Sequence, residues 1–240
     1  MGMRSKWIRG NLVYYDSILQ QRWLDAVGPT VVKFSDDYVM TPFSAADTPS
    51  DYVSTLIELG AGETYINLLS GTYPGGHLYI TTDANDNDGV NIQVRGEAFL
   101  LDANHPCYFG IKFMADEASH VDIFAGLCIT NLTLEAGMTD GVYFNKPTAA
   151  TALNLVLETA STPTTTLQAG AFTANAWHWW EFIWNGTAID SWVDGVLQTR
   201  PATLANLPQV QTLTPSIVFK NGHASIHNMW VHWMRAIQLN

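Results

Sequence analysis

A 240-residue chain that is 47% hydrophobic and 12% aromatic can fill the core of one large all-β domain as easily as two small ones. Only 14% of its residues are charged, against roughly 25% in ordinary globular usage, so its surface is rich in Thr, Ser and Asn or is hidden in an assembly. The net charge of −11 excludes a nucleic-acid groove, which needs a basic footprint. No apolar run approaches the ~18 residues of a membrane helix.

Residues 1–35 run against the overall charge. Arg4, Lys6, Arg9, Arg22 and Lys33 oppose only Asp16 and Asp25, a net of +3 within the total of −11, which leaves −14 on the remainder. The same stretch holds Trp7, Ile8, Leu12, Val13, Tyr14, Tyr15, Trp23 and Leu24, residues that solvated tails lack. It reads as an extended N-terminal arm (1–35) that docks on another surface, ahead of a domain spanning 36–240. Residues 1–10 are polar and basic with no apolar run behind them, so no secretion signal is expected. The sequons at Asn131 and Asn185 are then chance matches.

The arm gives way near Gly28-Pro29 to TVVKF and Asp36-Asp37, and TPFSAADTPSD (41–51) reads as a loop. Strands are expected at 53–59, 64–69, 77–82, 90–95, 107–114, 121–130, 141–145 and 153–158. More follow at 178–184, 189–193, 215–220 and 226–238. Turn signals such as Pro74-Gly75-Gly76, Asn87-Asp88-Gly89 and Asp140-Gly141 separate them. The Ala/Thr-rich stretch 147–176 favours strand and loop over helix because of its β-branched content. Cys107 and Cys128 fall inside strands and read as small buried apolar residues, with a disulfide as the alternative.

The segment WHWWEFIWNGTAIDSWVDG (177–195) is the most informative. Asn185-Gly186 and Asp194-Gly195 are hairpin dipeptides. One face of the first strand carries His178, Trp180, Phe182 and Trp184, the other Trp177, Trp179, Glu181 and Ile183. Neither face is plainly polar, so the strand is expected to be covered on both sides by core and by a ligand, loop or partner. The closing segment 226–238 reads as a long strand at a sheet edge. Its two faces would be Ile226, Asn228, Trp230, His232, Met234 and His227, Met229, Val231, Trp233, Arg235. Many short strands with regular turns imply a β-sandwich or jelly roll.

The chemistry-bearing residues point to binding rather than catalysis. A glycosidase needs two carboxylates flanking a cleft, and no strand carries such a pair at i and i+2. Glu181 stands isolated among tryptophans, and Asp122 has His120 and Phe124 at the paired positions. DANDNDG (83–89) fails the EF-hand spacing. The seven histidines show no metal-ligand spacing, and no nucleophile elbow or phosphate loop occurs. No enzyme, cofactor or metal is therefore expected. Nine tryptophans make sugar stacking conceivable, although core packing uses the same residues.

The run NDGVNIQV (87–94) with GEAF (96–99), YFGIKF (108–113), VDIFAGL (121–127), DGVYF (140–144) and the 177–195 block resembles a group of tailed-phage virion proteins. The leaders RWLDAVGP (22–29) and TVVKFSDDYV (30–39) share the likeness. The resemblance implies an all-β, concanavalin A-like (laminin G-like) jelly roll that decorates the outer capsid surface, assembled in the host cytoplasm. Its partners would be the major capsid protein and further copies of itself in a homo-oligomer, with no nucleic acid and no membrane. On this reading Arg4, Lys6, Arg9 and Arg22 meet acidic coat groups, while Trp7, Tyr14, Tyr15 and Trp23 are apolar anchors. The alternative is a carbohydrate- or receptor-binding module of a phage particle, which would bind a glycan. The acid motif of glycosidases with this fold (Glu, any, Asp, any, Glu) is absent.

Overall fold

The computed structural model describes residues 2–18, 22–38, 51–58, 64–69 and 76–240. Residues 41–50 of the expected loop lie outside them. The strands in chain order are β1 (Met3–Ile8), β2 (Asn11–Asp16), β3 (Trp23–Val27), β4 (Val31–Asp36), β5 (Tyr52–Ile57), β6 (Tyr65–Leu69) and β7 (His77–Thr81). Next come β8 (Gly89–Val94), β9 (Phe99–Leu100), β10 (Cys107–Ala115) and β11 (Val121–Cys128), then the one-turn helix α1 (Leu134–Gly137). After it follow β12 (Gly141–Lys146), β13 (Ala152–Thr159), β14 (Thr162–Ala171), β15 (His178–Trp184) and β16 (Ile189–Val193). The last are β17 (Val196–Leu197), β18 (Thr212–Asn221) and β19 (Asn228–Leu239).

Among the described residues two antiparallel sheets form the sandwich. The first runs β17-β16-β15-β10-β19-β7-β6, with β4 also on β19, and the second β14-β13-β12-β11-β18-β8-β5, with β9 on β18. This is the all-β jelly-roll sandwich expected from the alternation. Period-2 patterning sends Phe109, Ile111 and Phe113 of β10 and Trp180, Phe182 and Trp184 of β15 inward to meet Ile123, Ala125, Leu127 and Phe144 of the second sheet. Trp180 packs edge-on against Phe113 at 4.5 Å between centroids. The turn after β16 takes positive φ at Asp194 (52°) and Gly195 (80°), the backbone state that two-residue hairpins need.

Two expectations change, both on β19. β19 is an interior strand, flanked by β10 and by β7 and β4, not a sheet edge. Its two faces are also redistributed, because the register shifts at Lys112/Phe113 and skips His232. This bulge puts Val231 and Met234 both in the core and leaves Trp233, Arg235 and Ile237 outside. The 162–171 stretch, Thr164-Thr165-Thr166 included, is a strand, in line with its β-branched content. Cys107 and Cys128 are both free and buried, and burial pushes both thiols up from their ordinary pKa.

The leading segment is extended strand by strand, but its strands pair with one another. β1, β2 and β3 make a separate three-stranded antiparallel sheet. The β1–β2 turn has positive φ at Arg9 (49°) and Gly10 (78°), the I′ pattern. Arg9 holds that turn by donating to the carbonyls of Asn104 (2.5 Å) and Ala103 (3.3 Å). Val13, Trp23 and Ala26 then bury themselves against Tyr108, Ile183, Trp192, Ile237 and Leu239 on the outer face of the first sheet. Thus 1–35 is no single arm: β1–β3 cover the sandwich and β4 is part of it.

Candidate functional site

On the second sheet the residues alternating with the core positions face outward and form a separate cluster. Phe124 and Cys128 of β11, Tyr143 of β12, Val156 of β13 and Val218 of β18 gather with Leu134 and Met138 from the loop that carries α1. The loop lies on this face because two β8 side chains hold it. Gln93 donates to Ile129 O (3.0 Å) and accepts from Asn131 N–H (2.9 Å), and Asn91 donates to Asn131 O (2.7 Å). Asn131 in turn donates to Gly137 O at 2.6 Å, closing the loop on itself.

Between loop and strands lies a cleft of about 320 Å³ lined by Phe124, Tyr143, Asn145, Glu135 and Glu158 among others. Phe124 and Tyr143 are stacked, 4.2 Å between centroids and 25° between planes. Gly126 makes room for this pair: a Cβ there would stand 2.3 Å from Val142 O and 2.5 Å from Tyr143 Cβ. The Tyr143 hydroxyl donates to Glu158 Oε2 at 2.8 Å. Burial first, then that carboxylate, keeps the phenol protonated well above its usual range. Lys220 Nζ lies 2.5 Å from Glu135 and 3.5 Å from Asp122. Burial disfavours its charge, but the two carboxylates more than offset that and raise its pKa. The cleft therefore offers the small exposed parts of two buried rings (Phe124 4%, Tyr143 7% exposed), an amide and two carboxylates, Glu135 held by Lys220 and Glu158 by Tyr143. Glu135 and Glu158 come from different segments of the chain.

That origin explains why the sequence hid the carboxylates. A search for acids at i and i+2 of one strand misses a pair delivered by a loop and by β13. Glu158 itself is legible, since Asn154, Val156 and Glu158 alternate with core residues Leu153, Leu155 and Leu157. Glu135 carries no periodic signal.

The eight residues expected to dock on a coat are divided. Arg22 and Trp23 are buried within the chain, Lys6, Tyr14 and Tyr15 are half-buried, and Arg4, Trp7 and Arg9 are exposed. Lys6 Nζ lies over the Tyr15 ring at 5.0 Å. Arg22 is taken up by Glu181, 2.8 Å from Oε2, while Tyr108 OH donates to Oε1 at 2.7 Å. Glu181 thus has the partner that sequence proximity did not reveal. Its strand is covered on both sides, as expected, and the covering element is the chain's own β1–β3 sheet.

The rest of that outer face is aromatic and cationic. Lys112 Nζ lies 5.1 and 5.0 Å from the Trp177 and Trp179 rings, Arg235 lies 4.7 Å from Trp233, and His77 stacks on His232 at 4.9 Å. Trp177, Trp179 and Trp233 are half-buried, as is Trp230, which lies beside Tyr79 at 5.4 Å. The acidic run 83–89 closes on itself, with Asn85 donating to Asp83 and Asp88. Among the described residues no group of three or more His, Cys, Asp or Glu side chains is placed to hold a metal.

The architecture is the concanavalin A-like jelly-roll sandwich. No protein-family model matches the chain, and no curated protein matches it in sequence. Solved structures do match in fold. The Emp46p carbohydrate recognition domain in its metal-free form superposes with a TM-score of 0.57 at 10% identity, over 85% of this chain and 95% of that one. A native glycosidic hydrolase gives 0.57 at 13% identity, over 87% and 97%. The carbohydrate esterase vb_24B_21 from the Shiga toxin-encoding bacteriophage phi24B gives 0.51 at 15% identity, over 88% and 99%. The expectation of no enzyme is corrected here: this fold is shared with a hydrolase and an esterase, so a missing strand-borne acid motif does not exclude catalysis.

Proposed function

We propose that this chain is a carbohydrate-binding module whose sugar site is the cleft over Phe124 and Tyr143. The stacked aromatic pair beneath a rim of Asn145, Glu135 and Glu158 is the observation that carries the reading. Sugars expose apolar C–H faces that pack on rings, while their hydroxyls donate to carboxylates and accept from amides. Glu158, partnered by the Tyr143 phenol and not by the Lys220 that holds Glu135, favours neutral glycans over acidic ones. The likeness in fold to a carbohydrate recognition domain and to a phage carbohydrate esterase supports it. The test is titration with neutral oligosaccharides chosen from a glycan array. Tyr143→Ala is expected to weaken binding about tenfold or more, through the loss of one ring contact and of the hydroxyl that positions Glu158. Unchanged affinity in Tyr143→Ala sinks the assignment of the site.

Decoration of a phage capsid is the second reading, favoured by one feature of the N-terminal sheet. β1 is its outer strand, and Met3 (67% exposed), Arg4 and Trp7 (72% exposed) stand on it in solvent. An open strand edge with an exposed indole suits a coat subunit as partner. Quantitative mass spectrometry of purified particles is expected to find this chain at a small-integer fraction of the coat protein. A few copies per particle would remove this reading and leave sugar binding.

A further inference from the structure

β14 ends the second sheet, and among the described residues no strand pairs with its outer side. It is ten residues long and carries no charged side chain. Edge strands are ordinarily kept from pairing by charge or by being very short. β17, which ends the first sheet, has only two residues. β14 has neither protection, and Pro163 near its start removes a single donor.

The register on β13 decides which backbone groups stay free. Thr159 and Thr162 pair across a two-residue turn with positive φ at Ala160 (48°) and Ser161 (59°), so they exchange the hydrogen bonds that close the hairpin. Alternation from there turns the N–H and C=O groups of Thr165 and Leu167, and the C=O of Pro163, away from β13. Among the described residues nothing bonds them. The Ala169 N–H, next in that series, is already taken by Gln198 Oε1 at 2.6 Å. Pro163, Thr165 and Leu167 are exposed, Leu167 at 64%. The Gln198 bond sets β17 beside them, where Val196 and Leu197 are exposed too. Nearby charges are held within the chain: Asp190 by Arg200 (2.6 Å), Asp194 by His178 (2.8 Å) and Glu158 by the Tyr143 hydroxyl (2.8 Å).

We propose that β14 pairs antiparallel with β14 of a second copy, about a twofold axis at Thr166, joining the two second sheets into one. An antiparallel pair looks the same from either strand, so a single edge serves both copies. Chains of net charge −11 repel one another over most of their surface, and this edge lets them meet without charge against charge. The centre follows from the free groups. With Thr166 on the axis, Thr165 of each copy faces Leu167 of the other, and all their free N–H and C=O groups find mates. One residue either way sets Leu167 C=O against Pro163, which has no N–H, or Thr165 C=O against Ala169, whose N–H is taken. Pro163 and Glu158 line the cleft, so the pairing puts two clefts on one continuous sheet face. The pairing itself does not depend on what the cleft binds.

Sedimentation equilibrium of the full chain over a concentration series is expected to give a mass rising to twice that of one chain. Leu167→Lys places an ammonium on each side of the axis and is expected to raise the dimer dissociation constant about tenfold or more. Trp7→Ala, on the exposed edge of β1, is expected to leave it unchanged. The mass of a single chain at every concentration overturns the proposal, as does a dimer lost in Trp7→Ala and kept in Leu167→Lys. Should Leu167→Lys disturb the fold, a cysteine substitution decides. Thr166→Cys brings two thiols together at the axis, at a Cα separation of about 4.5 Å that a disulfide spans. Mild oxidation is expected to link Thr166→Cys into a dimer and to leave Thr162→Cys, opposite Gly170 of the second copy, unlinked. The native Cys107 and Cys128 are buried and give no background. No link in Thr166→Cys, or an equal one in Thr162→Cys, refutes the register and the pairing with it.

Discussion

Glu181 is a carboxylate with no exposed surface, held by one guanidinium and one phenol. Burial raises its pKa above the ordinary range, while Arg22 and Tyr108 pull it back down. A raised acid in the folded chain takes up a proton more readily than the unfolded chain does. Its contribution to stability is therefore present at low pH and lost as pH rises through the folded pKa. Arg22→Ala removes the counter-charge and leaves a buried carboxylate alone. The expected loss is about 3–5 kcal/mol at neutral pH, shrinking as the pH is lowered and Glu181 protonates. Urea unfolding at pH 7 and pH 5 measures both. A loss below about 1 kcal/mol, the range of exposed pairs, would show the pair to be solvated. The sequence marked Glu181 as unusual but could not name its partner, since a buried ion pair between residues 159 apart leaves no local pattern.

At the level of strands, Gly126 decides how closely β11 and β12 approach around the cleft. A Cβ there would stand 2.3 Å from Val142 O and 2.4 Å from Tyr143 Cα, backbone atoms that cannot turn aside. Gly126→Ala is expected to cost about 1–3 kcal/mol through overpacking and to weaken neutral-sugar binding along with it, by thermal melting and by titration respectively. Full stability in Gly126→Ala would mean that the sheet yields there without effect on the aromatic pair. Strand positions were largely legible because alternation and turn dipeptides are local signals. The segments expected at 107–114 and 178–184 are found at Cys107–Ala115 and His178–Trp184. Strand order was not legible. β19 looks like an edge strand in sequence and lies inside the sheet, and a bulge that skips His232 cannot be read from a pattern of period 2.

For the molecule as a whole, the run of short strands and turns announced the fold class, while composition misled on the leading segment. A basic stretch rich in aromatics reads as something that docks, and β1–β3 do dock. The surface they cover belongs to the same chain, on Tyr108, Ile183, Trp192, Ile237 and Leu239. Composition cannot distinguish an intramolecular target from a partner, because both present the same apolar ground. The cleft was less legible than the fold, since its groups come from β11, β12, β13 and a loop.

The pairing of an early strand, β4, with the last, β19, bears on how the chain is made. β4 pairs with residues 234–239 of β19, Thr30 Oγ1 donates to Asn240 O at 2.7 Å, and Trp23 packs near Ile237 and Leu239. During synthesis the β1–β3 hairpins can close early, but their seat is unfinished until β19 leaves the ribosome. Until then Trp23 and Val13 on one side, and Tyr108, Ile183 and Trp192 on the other, wait uncovered. Such long-range closure makes folding slow and leaves sticky surfaces open to chaperones or to neighbouring chains.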